Sequence, residues 1–198
     1  MRTERGTLLI LSGPSGAGKS TVIGAVMRKR GNIYFSVSCT TRAPRSGEEH
    51  GVQYYFITNE EFERMIREDA FLEYAGYVDH YYGTPLQKIE DNLNAGRDVI
   101  LDIEVQGAAI VRKKRPEAVS CFLMPPTFEE LERRLRGRES EAEEVIRGRL
   151  ARAREECRQI PDYDYLIIND TAEEAAEDLC AILRAASCRV LNRGEYVL

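Results

Sequence analysis

The chain has 198 residues, 43% hydrophobic and 31% charged, enough for one α/β domain with a buried core and small inserted parts. Its 28 basic and 33 acidic residues leave a net charge of −5, which excludes the basic footprint of a nucleic-acid binder, so any anion site must come from locally clustered arginines. The longest apolar runs (Thr7 to Leu11, Val99 to Ile103) fall far short of the roughly 20 residues of a membrane span, and the five cysteines show no C-x-x-C or zinc-like spacing, so no membrane, no nucleic-acid partner and a cytoplasmic location with reduced thiols are the expectations.

Taken in chain order, Thr7-Leu8-Leu9-Ile10-Leu11 is a short apolar run that reads as a buried strand. It leads into Gly13-Pro14-Ser15-Gly16-Ala17-Gly18-Lys19-Ser20, which satisfies G-x-x-x-x-G-K-[ST] in full. Glycines let the backbone curl so that successive N–H groups meet one cluster of phosphate oxygens. Lys19 reaches the β- and γ-phosphates, the Ser20 hydroxyl is a Mg²⁺ ligand, and the helix beginning there presents its positive end. With Thr21, these residues form the expected triphosphate cradle. The helix, Lys19 to Arg30, is expected to stop at Gly31.

From about Cys39 to Gly83 the chain changes character, being rich in Tyr, Gly, Arg and Glu with alternating segments such as Val52 to Ile57. That predicts a small mixed sheet with one helix, about Glu60 to Arg67, inserted into the core. A helix ended by Gly96 then enters a second buried strand, Val99 to Ile103. The run Arg112-Lys113-Lys114-Arg115 reads as a solvated helix end favoured by the macrodipole. Val119 to Met124 is a third strand, halted by Pro125-Pro126, and Tyr165 to Ile168 a fourth. Strands alternating with helices predict a parallel sheet with crossover helices. Between the last two strands, Phe128 to Arg158 reads as two charged helices with nine arginines and nine acidic residues; Arg133, Arg152 and Arg154 there read as solvated. Thr127/Glu130, Ser140/Glu143 and Thr171/Glu174 have capping-box spacing.

A triphosphate cradle alone leaves ATPases, GTPases and kinases open. The segment Ser38-Cys39-Thr40-Thr41-Arg42-Ala43-Pro44-Arg45-Ser46-Gly47-Glu48 narrows the choice, followed by Tyr54, Glu73, Tyr81-Tyr82-Gly83-Thr84 and Leu101-Asp102-Ile103-Glu104. Two arginine forks and two tyrosine hydroxyls suit a dianionic monophosphate. A carboxylate with nearby hydroxyls suits guanine, whose N1–H and N2 amino group donate while O6 accepts. Singly, each of these residues could equally be packing or surface.

At these residues the sequence closely resembles the guanylate kinase family, from about Thr7 to Leu183, through S-x-T-T-R-x-P-R-x-G-E, Y-Y-G-T, L-D-I-[DE]-x-Q-G-A and the arginine pattern of the two charged helices. The resemblance implies an α/β fold in one domain: a P-loop parallel-sheet core (about 1–38, 84–126 and 159–198), a mixed-sheet GMP-binding subdomain (about 39–83) and a helical lid (about 127–158). It implies ATP and GMP (or dGMP) as substrates with Mg²⁺ as cofactor. Position by position, it implies Arg42, Arg45, Tyr54 and Tyr82 on the GMP phosphate and Ser38, Glu73, Thr84 and Glu104 on guanine. Asp102 would lie near the acceptor or metal, Arg134, Arg138 and Arg149 on the ATP phosphates, and Asn169 by the adenine. Lys19, Arg42 and the three lid arginines would carry catalysis. The sequence departs from the pattern at Glu104, where the family usually has Asp, and at Glu139, where it commonly has Gly. The alternatives are a non-catalytic phosphopeptide-binding module of guanylate-kinase type, against which the intact Lys19 and Ser20 speak, and a kinase of another monophosphate, since arginine pairs read phosphate and not base.

Overall fold

A computed structural model describes residues 5–77, 79–137 and 143–189, with the backbone alone at Tyr77. In chain order the elements are β1 (Leu8–Ser12), α1 (Lys19–Lys29), β2 (Ile33–Phe35), β3 (Cys39–Thr40), β4 (Tyr55–Phe56), α2 (Asn59–Arg67), β5 (Phe71–Tyr77) and β6 (His80–Pro85). They continue with α3 (Leu86–Asn94), β7 (Asp98–Asp102), α4 (Val105–Lys114), β8 (Val119–Met124), α5 (Phe128–Arg136), α6 (Glu143–Cys157), β9 (Tyr165–Ile168) and α7 (Ala172–Ser187).

Five strands form an all-parallel sheet in the order β2-β7-β1-β8-β9. Both faces are covered, which is why β1 reads as a continuous apolar run. Leu9 and Leu11 pack with Val22 and Val26 of α1 and Leu179 and Leu183 of α7. Leu8 and Ile10 pack on the opposite face with Ile89 and Leu93 of α3 and Val111 of α4. Each such fully buried side chain contributes roughly 1.5–3 kcal/mol.

A second, mixed sheet has the order β4-β3-β6-β5, with β3 parallel to β4 and antiparallel to β6. Phe62 of α2 and Phe71 of β5 stack at 4.4 Å beneath it. Helices α5 and α6 share a small apolar core of Leu131, Leu135, Ile146 and Leu150.

Several local expectations change. Helix α1 ends at Lys29, and Arg30 already has extended backbone (φ −132°, ψ 112°), so the chain leaves the helix before Gly31. The alternation from Val52 to Ile57 yields strand only at Tyr55–Phe56, because 51–53 form a turn closed by an isolated bridge between His50 and Tyr54. Strand β2, not expected, is three half-buried residues at a sheet edge, too short for a periodic signal. The basic run closing α4 is not simply solvated: Arg112 stacks on Tyr163 at 4.7 Å, and Arg115 is paired with Glu90 and Glu117.

The caps form by half. The Thr127 and Thr171 hydroxyls accept from the Glu130 and Glu174 N–H groups at 3.1 and 3.3 Å. The returning carboxylate arm is diverted: Glu130 binds Arg133 and Arg134, and Glu174 accepts from the Thr171 hydroxyl. Thr58 caps α2 in the same way, accepting from Glu61 N–H at 3.1 Å, and its T-x-x-E spacing was legible too. Ser140 lies outside the described residues.

Candidate active site

The turn between β1 and α1 is shaped by glycine. Gly18, the N-cap of α1, has φ 91°, and a Cβ there would stand 2.4 Å from Asn169 Nδ2. Only a residue without a side chain fits that left-handed, crowded position. The Asn169 amide in turn donates to Ala17 O at 2.7 Å, and Asn169 is 4% exposed. Asn169 therefore reaches the cradle and braces its loop through this bond. Lys19 Nζ donates to Gly13 O at 2.6 Å and lies 3.8 Å from Asp102 Oδ1. The Ser20 side chain is exposed at the first turn of α1. Ser12 Oγ donates to Ile103 O at 2.7 Å, tying the loop after β7 to the start of the cradle.

Asp102 joins this cradle to a cavity of about 380 Å³ between the two sheets. Ser38, Tyr54, Glu73, Tyr82, Asp102 and Glu104, all expected from the sequence, line it. Burial pushes the Asp102 carboxyl above the ordinary range, Lys19 opposes this, and Glu104 adds to it. Thr84 is fully buried behind Glu73, its hydroxyl donating to Glu73 Oε1 at 2.6 Å. Glu73 is 6% exposed, and burial raises its carboxyl against the pull of Thr84. The alternation of Phe71-Leu72-Glu73-Tyr74 is interrupted by a register shift between Phe71 and Glu73 opposite Pro85 and Thr84. Such a bulge re-aims side chains: Leu72 enters the main core and Glu73 turns to the cavity rather than to solvent.

Arg42 and Arg45 stand outside the cavity lining. The Arg42 guanidinium forks onto the Glu48 carboxylate, both bonds 2.9 Å, and lies 5.5 Å over the Tyr54 ring. Arg45 is exposed, and its backbone N–H donates to Glu48 Oε2 at 2.8 Å. Glu48 thus gathers both arginine positions on one carboxylate, a role its place in the motif did not suggest.

On the helix pair, Arg134 Nη2 donates to Asn169 O at 3.0 Å, beside the cradle. Arg149 is half-buried on α6. Arg138 and Glu139 lie outside the described residues. Arg152, read as a solvated charge, is exposed and also lines the cavity, with Nη2 3.4 Å from Glu104 Oε2. Gln53, Gln106 and Gly107 also line it without having been singled out. Gln106 and Gly107 belong to the L-D-I-[DE]-x-Q-G-A motif, and a glycine inside the first turn of a helix was a readable signal that something approaches closely.

The donor set suits a magnesium ion carried in with the nucleotide. The Ser20 hydroxyl and the Asp102 carboxyl are hard oxygens that could contribute to such a site, and among the described residues no cluster of three His, Cys, Asp or Glu could hold a metal alone. Magnesium commonly takes one or two protein oxygens and completes its shell with phosphates and water.

The family model for guanylate kinase matches residues 5–186. The chain is 49% identical over 189 residues to the guanylate kinase of Shouchella clausii, covering 96% of this chain and 92% of that protein. It is 50% identical over 187 residues to that of Lactococcus lactis, with 94% and 91% covered. The crystal structure of guanylate kinase from Anaplasma phagocytophilum superposes with a TM-score of 0.78 at 37% identity, over 96% of this chain and 90% of that one.

Proposed function

The chain belongs to the guanylate kinase family, and from that premise we propose how its residues divide the work of moving the γ-phosphoryl group of ATP to GMP. The activity itself, an ATP:GMP phosphotransferase giving ADP and GDP, follows from the family match over nearly the whole chain. The observation that carries the assignment of roles is the cavity wall, in which Glu73 is backed by Thr84 and Asp102 stands 3.8 Å from Lys19 of the cradle.

In this reading Gly13 to Thr21 bind the ATP phosphates, and Asn169 holds the loop in shape. Guanine donates from N1 and N2 to Glu73, whose Oε1 is already fixed by Thr84; Ser38 and Glu104 complete the base site. The GMP phosphate takes over Arg42 from Glu48, with Arg45, Tyr54 and Tyr82 around it. Arg134, Arg138 and Arg149 meet the charge that spreads over the transferred group. The acceptor oxygen is largely ionised at neutral pH, so no general base is needed and catalysis is positioning plus electrostatic stabilisation. Ser20 and Asp102 would hold the magnesium ion that comes with ATP, and the chemistry it would supply is neutralisation of phosphate charge.

We assign the core, the GMP-binding part (about 39–83) and the lid (about 127–158) on the same grounds, the cytoplasm as compartment, and no membrane or nucleic-acid partner. The free cysteines, two of them buried, suit a reducing environment, and no helix among the described residues is long and apolar enough to cross a membrane. A coupled assay with ATP and each of GMP, AMP, CMP and UMP tests the base assignment. GMP should exceed AMP by roughly 10⁴ in kcat/KM, because adenine would set its bare N1 against the Glu73 acceptor. Equal rates with AMP would defeat the guanine assignment.

A further inference from the structure

Gly107 occupies the first turn of α4, a position where glycine weakens the helix relative to alanine. The backbone needs no glycine there, since Gly107 is not among the residues with positive φ. What it avoids is a contact. A Cβ built on Gly107 would stand 2.8 Å from Glu73 Oε2, 3.2 Å from Cδ and 3.7 Å from Cγ, and these are its three nearest heavy atoms. The conflict is therefore with one side chain and not with a backbone. That side chain is 6% exposed, is pinned from the other side by the Thr84 hydroxyl at 2.6 Å, and lines the cavity together with Gly107 itself.

We propose that Gly107 is a positioning residue for base recognition: its missing side chain is the space that lets the Glu73 carboxylate stand where guanine N1 and N2 can reach it. The proposal rests on the reading of Glu73 as the guanine acceptor. Thr84 and Gly107 act as the two jaws of one clamp. Thr84 draws Oε1 by a hydrogen bond, and Gly107 leaves Oε2 room on the α4 side. Because the carboxylate is the movable end of a flexible chain, a methyl group at 107 displaces it instead of displacing α4. The helix survives the substitution and the reader of the base does not.

The test is Gly107→Ala in the full-length enzyme, with thermal melting, ATP and GMP kinetics and GMP titration, beside Glu73→Gln, Glu73→Asp and the double variant Glu73→Asp/Gly107→Ala. The expected result is a melting temperature no lower than the parent's, with alanine favouring the helix. The KM for ATP should be unchanged and kcat/KM for GMP should fall by at least about tenfold through weaker GMP binding. In the Glu73→Asp background the shorter carboxylate has already withdrawn from Gly107, so adding alanine should change GMP use by less than about twofold. If Gly107→Ala keeps parental GMP kinetics while Glu73→Gln loses them, the clamp is refuted and the role of Glu73 stands. An equal loss in both backgrounds, or a Gly107→Ala chain that does not fold, would make Gly107 a packing residue of α4 and overturn the proposal. Parental behaviour of Glu73→Gln would remove the guanine reading, and the clamp with it.

Discussion

Lys19 and Glu73 are held in opposite ways, and their substitutions should differ accordingly. Lys19 donates to Gly13 O and faces Asp102 at 3.8 Å, contacts that a phosphate oxygen can replace. Lys19→Ala should leave the fold intact and lower kcat by at least two orders of magnitude, about 3 kcal/mol of lost transition-state stabilisation. Turnover within tenfold of the parent would remove Lys19 from the transferred group. Glu73 is a buried carboxyl raised by desolvation. Glu73→Gln turns an acceptor into a donor facing guanine, and kcat/KM for GMP should fall at least a hundredfold, about 2.7 kcal/mol. The same change should stabilise the ligand-free protein at neutral pH. A carboxyl whose folded pKa is raised destabilises the fold above that pKa, where both states are ionised, and this cost vanishes below the unfolded value of about 4.3. Melting curves of parent and Glu73→Gln should therefore converge as the pH falls through that window. A gap that widens on acidification would contradict the burial argument.

At the scale of elements, the helix pair α5–α6 carries the charges expected to close over the nucleotide. Its own ion pairs prepare it: Arg133 and Arg134 hold the Glu130 carboxyl down at about 2, so Glu130 stays ionised across the working range and keeps Arg134 oriented. Arg134 already touches the carbonyl of Asn169, which supports the P-loop through Ala17. Arg134→Met should thus reduce kcat by at least about tenfold while leaving the Kd for GMP nearly unchanged, as a contact to late-developing charge does. Weakened GMP binding at unchanged kcat would reassign the residue to the acceptor side. Strand β5 shows a complementary lesson. Its bulge between Phe71 and Glu73 lets neighbouring residues serve different cores, Phe71 under the mixed sheet and Leu72 in the parallel one, while Glu73 faces the cavity.

For the molecule as a whole, the recess opens between two sheets and is flanked by α6 through Arg152. Transfer to GMP must outrun transfer to water, and we expect the parts to close when both nucleotides are bound. ATP hydrolysis without GMP should accordingly run at least a hundredfold slower than phosphoryl transfer at saturating GMP. Comparable rates in a phosphate-release assay would mean that water reaches the γ-phosphate freely. The parallel core, the P-loop and the capped helices were legible because each depends on residues adjacent in sequence: a buried strand, a glycine turn, a hydroxyl three residues before its acceptor N–H. The ordered motifs likewise pointed to the family and, with Tyr54 and Glu73, to part of the cavity lining. Arg152 and Glu48 were beyond that reach, and for Gly107 the motif showed the glycine but not the carboxylate it leaves room for. Arg152 looks like any solvated helix charge until folding sets it 3.4 Å from Glu104, 48 residues away. Glu48 becomes the partner of two arginine positions only through the turn that brings it back. The sequence by itself determined the chemistry, because phosphate and guanine each demand particular donors and acceptors in a fixed order along the chain. Only the tertiary structure decided which carboxylate faces which cation and where a missing methyl group matters, because those are distances between residues that the chain alone leaves far apart.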